Sequence, residues 1–184
     1  WKKCTGCGVC SEWCPVVMPS EFNQGLDKRR AIYTAFPQAV PNTRAIDKPH
    51  CLYLGKGKKC KLCEKHCKAG AINYEDTGRE LELHVGAIIL CPGLDRYDAR
   101  ARGELGLGRW KNVVSAIQFE RILSASGPFK GEIKRPFDDK HPVKVAWIQC
   151  VGSRDSHNAN PWCSSVCCMY ATKQAIIAKE HDSH

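Results

Sequence analysis

The apolar residues of this chain change style near residue 85. Beyond it they gather into short runs of strand length, Val85-Gly-Ala-Ile-Ile-Leu90 and Val143-Lys-Val-Ala-Trp-Ile-Gln149, both rich in β-branched residues. The first run ends at Pro92-Gly93, which predicts a buried strand leaving through a tight turn. Between the two runs, Val114-Ser-Ala-Ile-Gln-Phe-Glu-Arg-Ile-Leu123 repeats apolar positions at helical spacing and is closed by Gly127-Pro128. A further amphipathic helix opens at Ala171-Thr-Lys-Gln-Ala-Ile-Ile-Ala-Lys179. Strand, helix and strand predict part of an α/β domain whose sheet is not completed within these residues. Ahead of residue 85 the pattern is weaker: Ala71-Ile-Asn-Tyr74 reads as a short strand, residues 75–78 as a turn, and residues 81–85 as a second extended piece. Pro19, Pro37 and Pro41 break the stretch from Pro15 to His50, which predicts an ordered but irregular loop.

A chain of 184 residues holds one ordinary domain or two small ones. Its 43% hydrophobic and 26% charged residues are an ordinary globular mixture, and no apolar run approaches the ~20 residues that span a bilayer. A soluble, cytoplasmic protein is expected. The chain opens on Trp1 rather than Met, and its last helix stops short of the strand that would normally follow, so a piece of a longer polypeptide is expected. The net charge of +9 is concentrated early, because residues 1–74 carry 13 Lys+Arg against 5 Asp+Glu. Lys56, Lys58, Lys59, Lys61, Lys65 and Lys68 are interleaved with cysteines rather than with stacking aromatics, which argues against nucleic acid as the partner. Compensation of negatively charged metal–thiolate centres accounts for them better.

Composition becomes decisive at cysteine. Thirteen cysteines cannot all pair internally, and twelve of them fall into three sets of four. Cys4-Thr-Gly-Cys7-Gly-Val-Cys10-Ser-Glu-Trp-Cys14-Pro15 is C-x2-C-x2-C-x3-C-P, the spacing that wraps three thiolates around one 4Fe-4S cubane and sends the fourth to another. Gly6 and Gly8 allow the loop to curl, and Pro15 fixes its exit. In the second set Cys51 is followed by eight residues before Cys60-Lys-Leu-Cys63-Glu-Lys-His-Cys67, and Lys68 stands where proline is usual. Crossed ligation then predicts Cys4, Cys7, Cys10 and Cys67 on one cluster and Cys51, Cys60, Cys63 and Cys14 on the other. His66 is expected to be a solvated neighbour, since thiolates fill both sites. Structural zinc is the competing use of such pairs.

The third set, Cys150, Cys163, Cys167 and Cys168, has an unusual spacing. If Cys150 ends a strand and Cys163 and Cys167 lie one helical turn apart, four thiols can converge. Buried free thiols with one redox pair are the alternative. Cys91 stands alone and is expected to be a buried thiol.

Taken together, these passages resemble the A-type subunit of the heterodisulfide reductases, the flavin and iron–sulfur subunit of methanogens, sulfate reducers and related anaerobes. The resemblance covers essentially the whole chain and rests on residues 19–33 (Pro19-Ser-Glu-Phe-Asn-Gln-Gly-Leu-Asp-Lys-Arg-Arg-Ala-Ile-Tyr33), Phe36-Pro-Gln-Ala-Val-Pro-Asn42, Gln149-Cys-Val-Gly-Ser-Arg-Asp155 and Cys163-Ser-Ser-Val-Cys-Cys-Met-Tyr-Ala171. It implies an α+β chain: a two-cluster bacterial-ferredoxin-like module over residues 1–78, inserted into an α/β thioredoxin-reductase-like flavoprotein domain, part of which follows over residues 79–184. It also implies a third 4Fe-4S cluster on Cys150, Cys163, Cys167 and Cys168, and FAD in the complete protein. The partners implied are other heterodisulfide reductase subunits, a hydrogenase or formate dehydrogenase-type donor, and ferredoxin. Flavoproteins of this type usually carry Ala-Thr-Gly where this chain has Cys91-Pro92-Gly93, so Gly93 is the one residue expected near the flavin. No GxGxxG opens a βαβ unit here, so the pyrophosphate-binding turn is expected upstream.

The function these expectations describe is electron relay between 4Fe-4S clusters and FAD, with flavin-based bifurcation as its fullest form and no catalytic residue within the chain. A ferredoxin-type module of another pyridine-nucleotide or flavin oxidoreductase is the alternative, as is a ferredoxin-type binding module without flavin.

Overall fold

The computed structural model describes residues 2–78, 80–158 and 160–182. Trp1, where the chain opens, and Arg79, the first residue of the expected flavoprotein part, lie outside them. The chain is α+β and divides into two compact units, Trp1–Gly93 and Leu94–His184.

In the first unit the helices are single turns. α1 (Val9–Glu12) starts from Gly8, whose φ of 85° is left-handed, and α2 (Leu62–Lys65) follows the second cysteine-rich loop. The stretch expected to be an irregular loop instead holds two antiparallel ribbons, β1 (Val17–Pro19) with β2 (Lys28–Arg30), and β3 (Ile32–Tyr33) with β4 (Ala45–Ile46). Register pairs Met18 with Arg29 in one ribbon and Ile32 with Ile46 in the other. Pro19 is tolerated because it closes an edge strand, where its missing N–H interrupts no ladder. Arg29 ties the ribbons together: its guanidinium meets Glu21 at 2.5 Å and Asp47 at 2.8 Å and lies 4.0 Å from the Tyr33 ring centre. The core is small and built around cysteine, with Cys10, Cys14, Ala31 and Ile32 buried and Val16, Met18, Ile46, Cys63 and Ile72 packed on them.

In the second unit, α3 (Ala116–Leu123) falls within the expected helix. Ser115 and Gln118 form a reciprocal capping box, and Phe119, Ile122 and Leu123 supply the buried face. α4 (Cys167–His181) begins earlier than its apolar pattern indicates and packs on α3. Between them Gln174, 2% exposed, accepts from Trp147 Nε1 at 3.3 Å and donates to the Ala116 carbonyl at 2.9 Å, so its buried amide is satisfied.

The expected strands do not form among the described residues. Residues 71–74, 81–90 and 143–149 have no ladder, and Ile89 and Val143 are 88% and 93% exposed. An apolar run becomes a strand only when neighbours take up its N–H and C=O groups and cover both faces. The described residues provide no such neighbours. Cys91, expected to be buried, is exposed.

Candidate metal centres

The two cysteine-rich loops of the first unit are built alike. Each one-turn helix carries a cysteine at its second position, Cys10 in α1 and Cys63 in α2, and releases another cysteine just past its C-cap, Cys14 after Trp13 and Cys67 after His66. Trp13 and His66, the two C-cap residues, stack face to face with ring centres 3.8 Å apart and planes parallel. His66 is therefore a packed element of the site rather than a solvated bystander. The stack joins the residues directly preceding Cys14 and Cys67, the two cysteines expected to cross over.

Cys14, Cys51, Cys60 and Cys63 line one cleft, walled by Val16, Ala31, Ile32, Ile46, Leu52 and Leu62. Cysteines from two loops far apart in sequence thus face one apolar space. Burial pushes the Cys63 thiol up, the Tyr74 hydroxyl opposes that shift, and the nearby Cys51 and Cys14 add to it. Arg30 donates to the Cys14 carbonyl at 3.0 Å and fixes the peptide that carries Cys14.

Around Cys4, Cys7 and Cys10 the loop is clamped from outside. Arg44 donates to the Gly6 carbonyl at 3.0 Å and to Asn42 Oδ1 at 2.9 Å, and it also bonds Thr34. The Val9 N–H, followed by the Thr5 hydroxyl, holds the Cys7 thiol low against some burial, and the Arg44 charge helps. Burial raises the Cys10 thiol, with neighbouring Cys4 adding to that rise. Cys67 accepts from the Ala71 N–H at 3.3 Å. Gly6 sits at φ 74°, and a Cβ there would lie 2.6 Å from the Asn42 carbonyl oxygen. Gly6→Ala is accordingly expected to cost more than about 1 kcal/mol and to speed loss of iron from this loop, as read by urea unfolding and by iron release to a chelator.

In the second unit the third set is partly assembled. Cys167, buried at the start of α4, has its thiol held low by the Ser164 hydroxyl and then the Cys150 N–H, with the Cys150 and Cys168 thiols also in reach. The charge on Cys167 raises the Cys168 thiol, with Cys150 and Cys163 contributing less. The expected geometry needs correcting in two respects. Cys150 ends no strand but occupies a left-handed turn at φ 58°, and Cys163 lies exposed in the loop before α4 rather than one turn earlier on the helix. Gly93 has a φ of 74°, and a Cβ built there would meet nothing within 4 Å.

Among the described residues no three His, Cys, Asp or Glu side chains close on a single-ion position. Cys14, Cys51, Cys60 and Cys63 instead share a cleft with apolar walls. Four soft sulfur donors along one apolar cleft suit the donor chemistry of an iron–sulfur cluster.

Among known proteins, no family model matches the sequence. It is 46% identical over 179 residues to the A-type iron–sulfur subunit of the CoB–CoM heterodisulfide reductase of Methanocaldococcus jannaschii, a match that covers 97% of this chain and 26% of that protein. Over nearly its whole length the chain is thus similar to part of a heterodisulfide reductase iron–sulfur subunit. It is also 49% identical over 177 residues to a second A-type subunit, from Methanopyrus kandleri, covering 96% of this chain and 26% of the relative. A third relative at 46% identity over 179 residues, from Methanococcus maripaludis, is the corresponding subunit of an enzyme named H(2)/formate:CoB-CoM heterodisulfide,ferredoxin reductase; 97% of this chain and 26% of that protein are covered. The chain thus spans about a quarter of the length of the curated relatives it matches. The relatives' naming as iron–sulfur subunits, with the thirteen cysteines here, points to iron–sulfur clusters and supports an electron-transfer role. No helix among the described residues is long and apolar enough to cross a membrane.

Proposed function

We propose that this sequence is the cluster-bearing stretch of an A-type heterodisulfide reductase subunit and that it relays electrons. Cys4, Cys7, Cys10 and Cys67 hold one 4Fe-4S cluster, and Cys51, Cys60, Cys63 and Cys14 hold a second. Cys150, Cys163, Cys167 and Cys168 hold a third. The observation that carries this reading is the cleft shared by Cys14 with Cys51, Cys60 and Cys63, since it unites the two cysteine-rich loops as crossed ligation requires.

Bound in these sites, such clusters supply reversible one-electron transfer. The chain's own residues shape the setting for it. The apolar walls around Cys14 keep water from the buried thiols, the Arg44 clamp preserves the turn that aims the Val9 N–H at Cys7, and the Trp13–His66 stack couples the two loops. In the complete protein the relay connects to FAD, with the Gly93 turn on the flavin side. The electrons serve other subunits of a cytoplasmic complex, drawn from a hydrogenase or formate dehydrogenase-type donor and shared with ferredoxin. Electron bifurcation at the flavin and heterodisulfide reduction on a partner subunit complete the reading.

Anaerobic reconstitution of residues 1–184 with iron and sulfide is the test. The expected product has broad visible absorbance that bleaches with a one-electron reductant and returns with an oxidant, and it carries no stoichiometric FAD because the sequence lacks a dinucleotide-binding GxGxxG turn. A colourless zinc protein would overturn the relay, and tightly bound FAD would overturn the placement of the flavin site.

A further inference from the structure

One polar contact on the second cysteine site leads beyond its ligands. Tyr74 follows Cys67 closely in sequence, and its hydroxyl oxygen lies 3.1 Å from Cys63 Sγ. The ring is held from two sides. Tyr53 packs on it with centres 4.6 Å apart, tilted at 56°, and the Lys61 ammonium sits 5.3 Å from its centroid and 5.0 Å from that of Tyr53. Lys61 is in turn paired with Glu64 at 3.4 Å. The aromatic pair and the cation fix the ring, and so fix where the hydroxyl points.

We infer that Tyr74 sets the reduction potential of the centre held by Cys63, by donating its hydroxyl proton as a hydrogen bond to the Cys63 sulfur. This rests on the ligand set proposed above. A thiolate sulfur has no proton to give, so with Cys63 acting as a ligand the tyrosine is the donor. One-electron reduction adds negative charge that spreads onto the coordinating sulfurs, and a donor aimed at one of them stabilises the reduced form more than the oxidised form. The bond therefore raises the potential of this centre. On the first loop the hydroxyls near sulfur are the aliphatic ones of Thr5 at Cys7 and Ser11 at Cys10, and a phenol is the more acidic donor. The two centres are thereby made unequal, and an electron shared between them rests preferentially on the one that Tyr74 touches.

The test replaces the hydroxyl alone. Tyr74→Phe keeps the ring against Tyr53 and beneath Lys61. In the full-length protein purified anaerobically, redox titration followed by low-temperature EPR should show one signal moving to lower potential while the others stay. The expected size is about tenfold in the reduced-to-oxidised ratio at fixed poise, equivalent to about 59 mV for a one-electron couple. Iron and sulfide contents should equal those of the unmodified protein. ENDOR of the reduced protein after exchange into D2O should lose one coupled deuteron in Tyr74→Phe. A potential unchanged within error, or an unchanged deuteron coupling, overturns the proposal. Loss of iron in Tyr74→Phe also overturns it, since the residue would then be holding the site together. Cys63→Ser identifies which signal belongs to this centre. If Cys63→Ser leaves every signal and the iron content intact, the ligand assignment fails and Tyr74 is not at fault.

Discussion

Cys14→Ser is expected to remove about four iron atoms from the site of Cys51, Cys60 and Cys63 and to leave the centre of Cys4, Cys7 and Cys10 in place. Simple proximity in sequence argues the opposite, because Cys14 closes the first motif only one x3 step after Cys10. The structure places it elsewhere: Cys14 lines the apolar cleft with the three cysteines of the second loop, and Arg30 pins its carbonyl there. Serine offers a poor, hard oxygen in place of a soft thiolate and leaves the cubane one good ligand short. The reduced EPR spectrum of Cys14→Ser should therefore match that of Cys63→Ser. A spectrum matching Cys10→Ser instead would mean that each loop holds its own cluster and that crossing does not occur.

The second large effect lies at the start of α4. Replacing Cys167 and Cys168 together with Ser should remove about four further iron atoms while the centres of residues 1–74 persist, because a cubane normally needs all four thiolates. Cys167 is buried and lies within reach of both Cys150 and Cys168, so this pair is the nucleus of the set. The double change is preferable to either single one, since adjacent thiols can replace each other. Unchanged iron content and unchanged low-temperature spectra in the double variant would withdraw the third site.

What is legible in the sequence is chemistry with a fixed local spacing. The C-x2-C-x2-C-x3-C-P run by itself points to Cys14 as the outlier of its motif, and Ser115 with Gln118 marks the start of α3 because a capping box needs only four consecutive residues. Elements that depend on distant partners are less legible. The runs at 85–90 and 143–149 have strand composition, yet a strand is a relation between segments, and these remain unpaired and largely exposed. The ribbons between Val17 and Ile46 escape a reading of the sequence for the converse reason. Strands of two or three residues are too short to show alternation, although Asn23-Gln24-Gly25, with Gly25 at φ 77°, is an available turn signal between β1 and β2. Tyr74 reads as a strand residue because nothing in Ala71-Ile-Asn-Tyr74 reveals that its hydroxyl meets a cysteine eleven positions earlier. The polarity of His66 similarly suggests solvent, whereas its ring is half of the stack with Trp13.

The central claim is that these cysteines hold cubane clusters rather than single ions. Native mass spectrometry of anaerobically reconstituted residues 1–184 measures this directly, because each 4Fe-4S unit adds iron and inorganic sulfide in equal number. The account predicts about twelve iron and about twelve sulfide per chain, falling by one cluster in Cys14→Ser. Mass increments of bound zinc without sulfide, or of a single cluster, would contradict it.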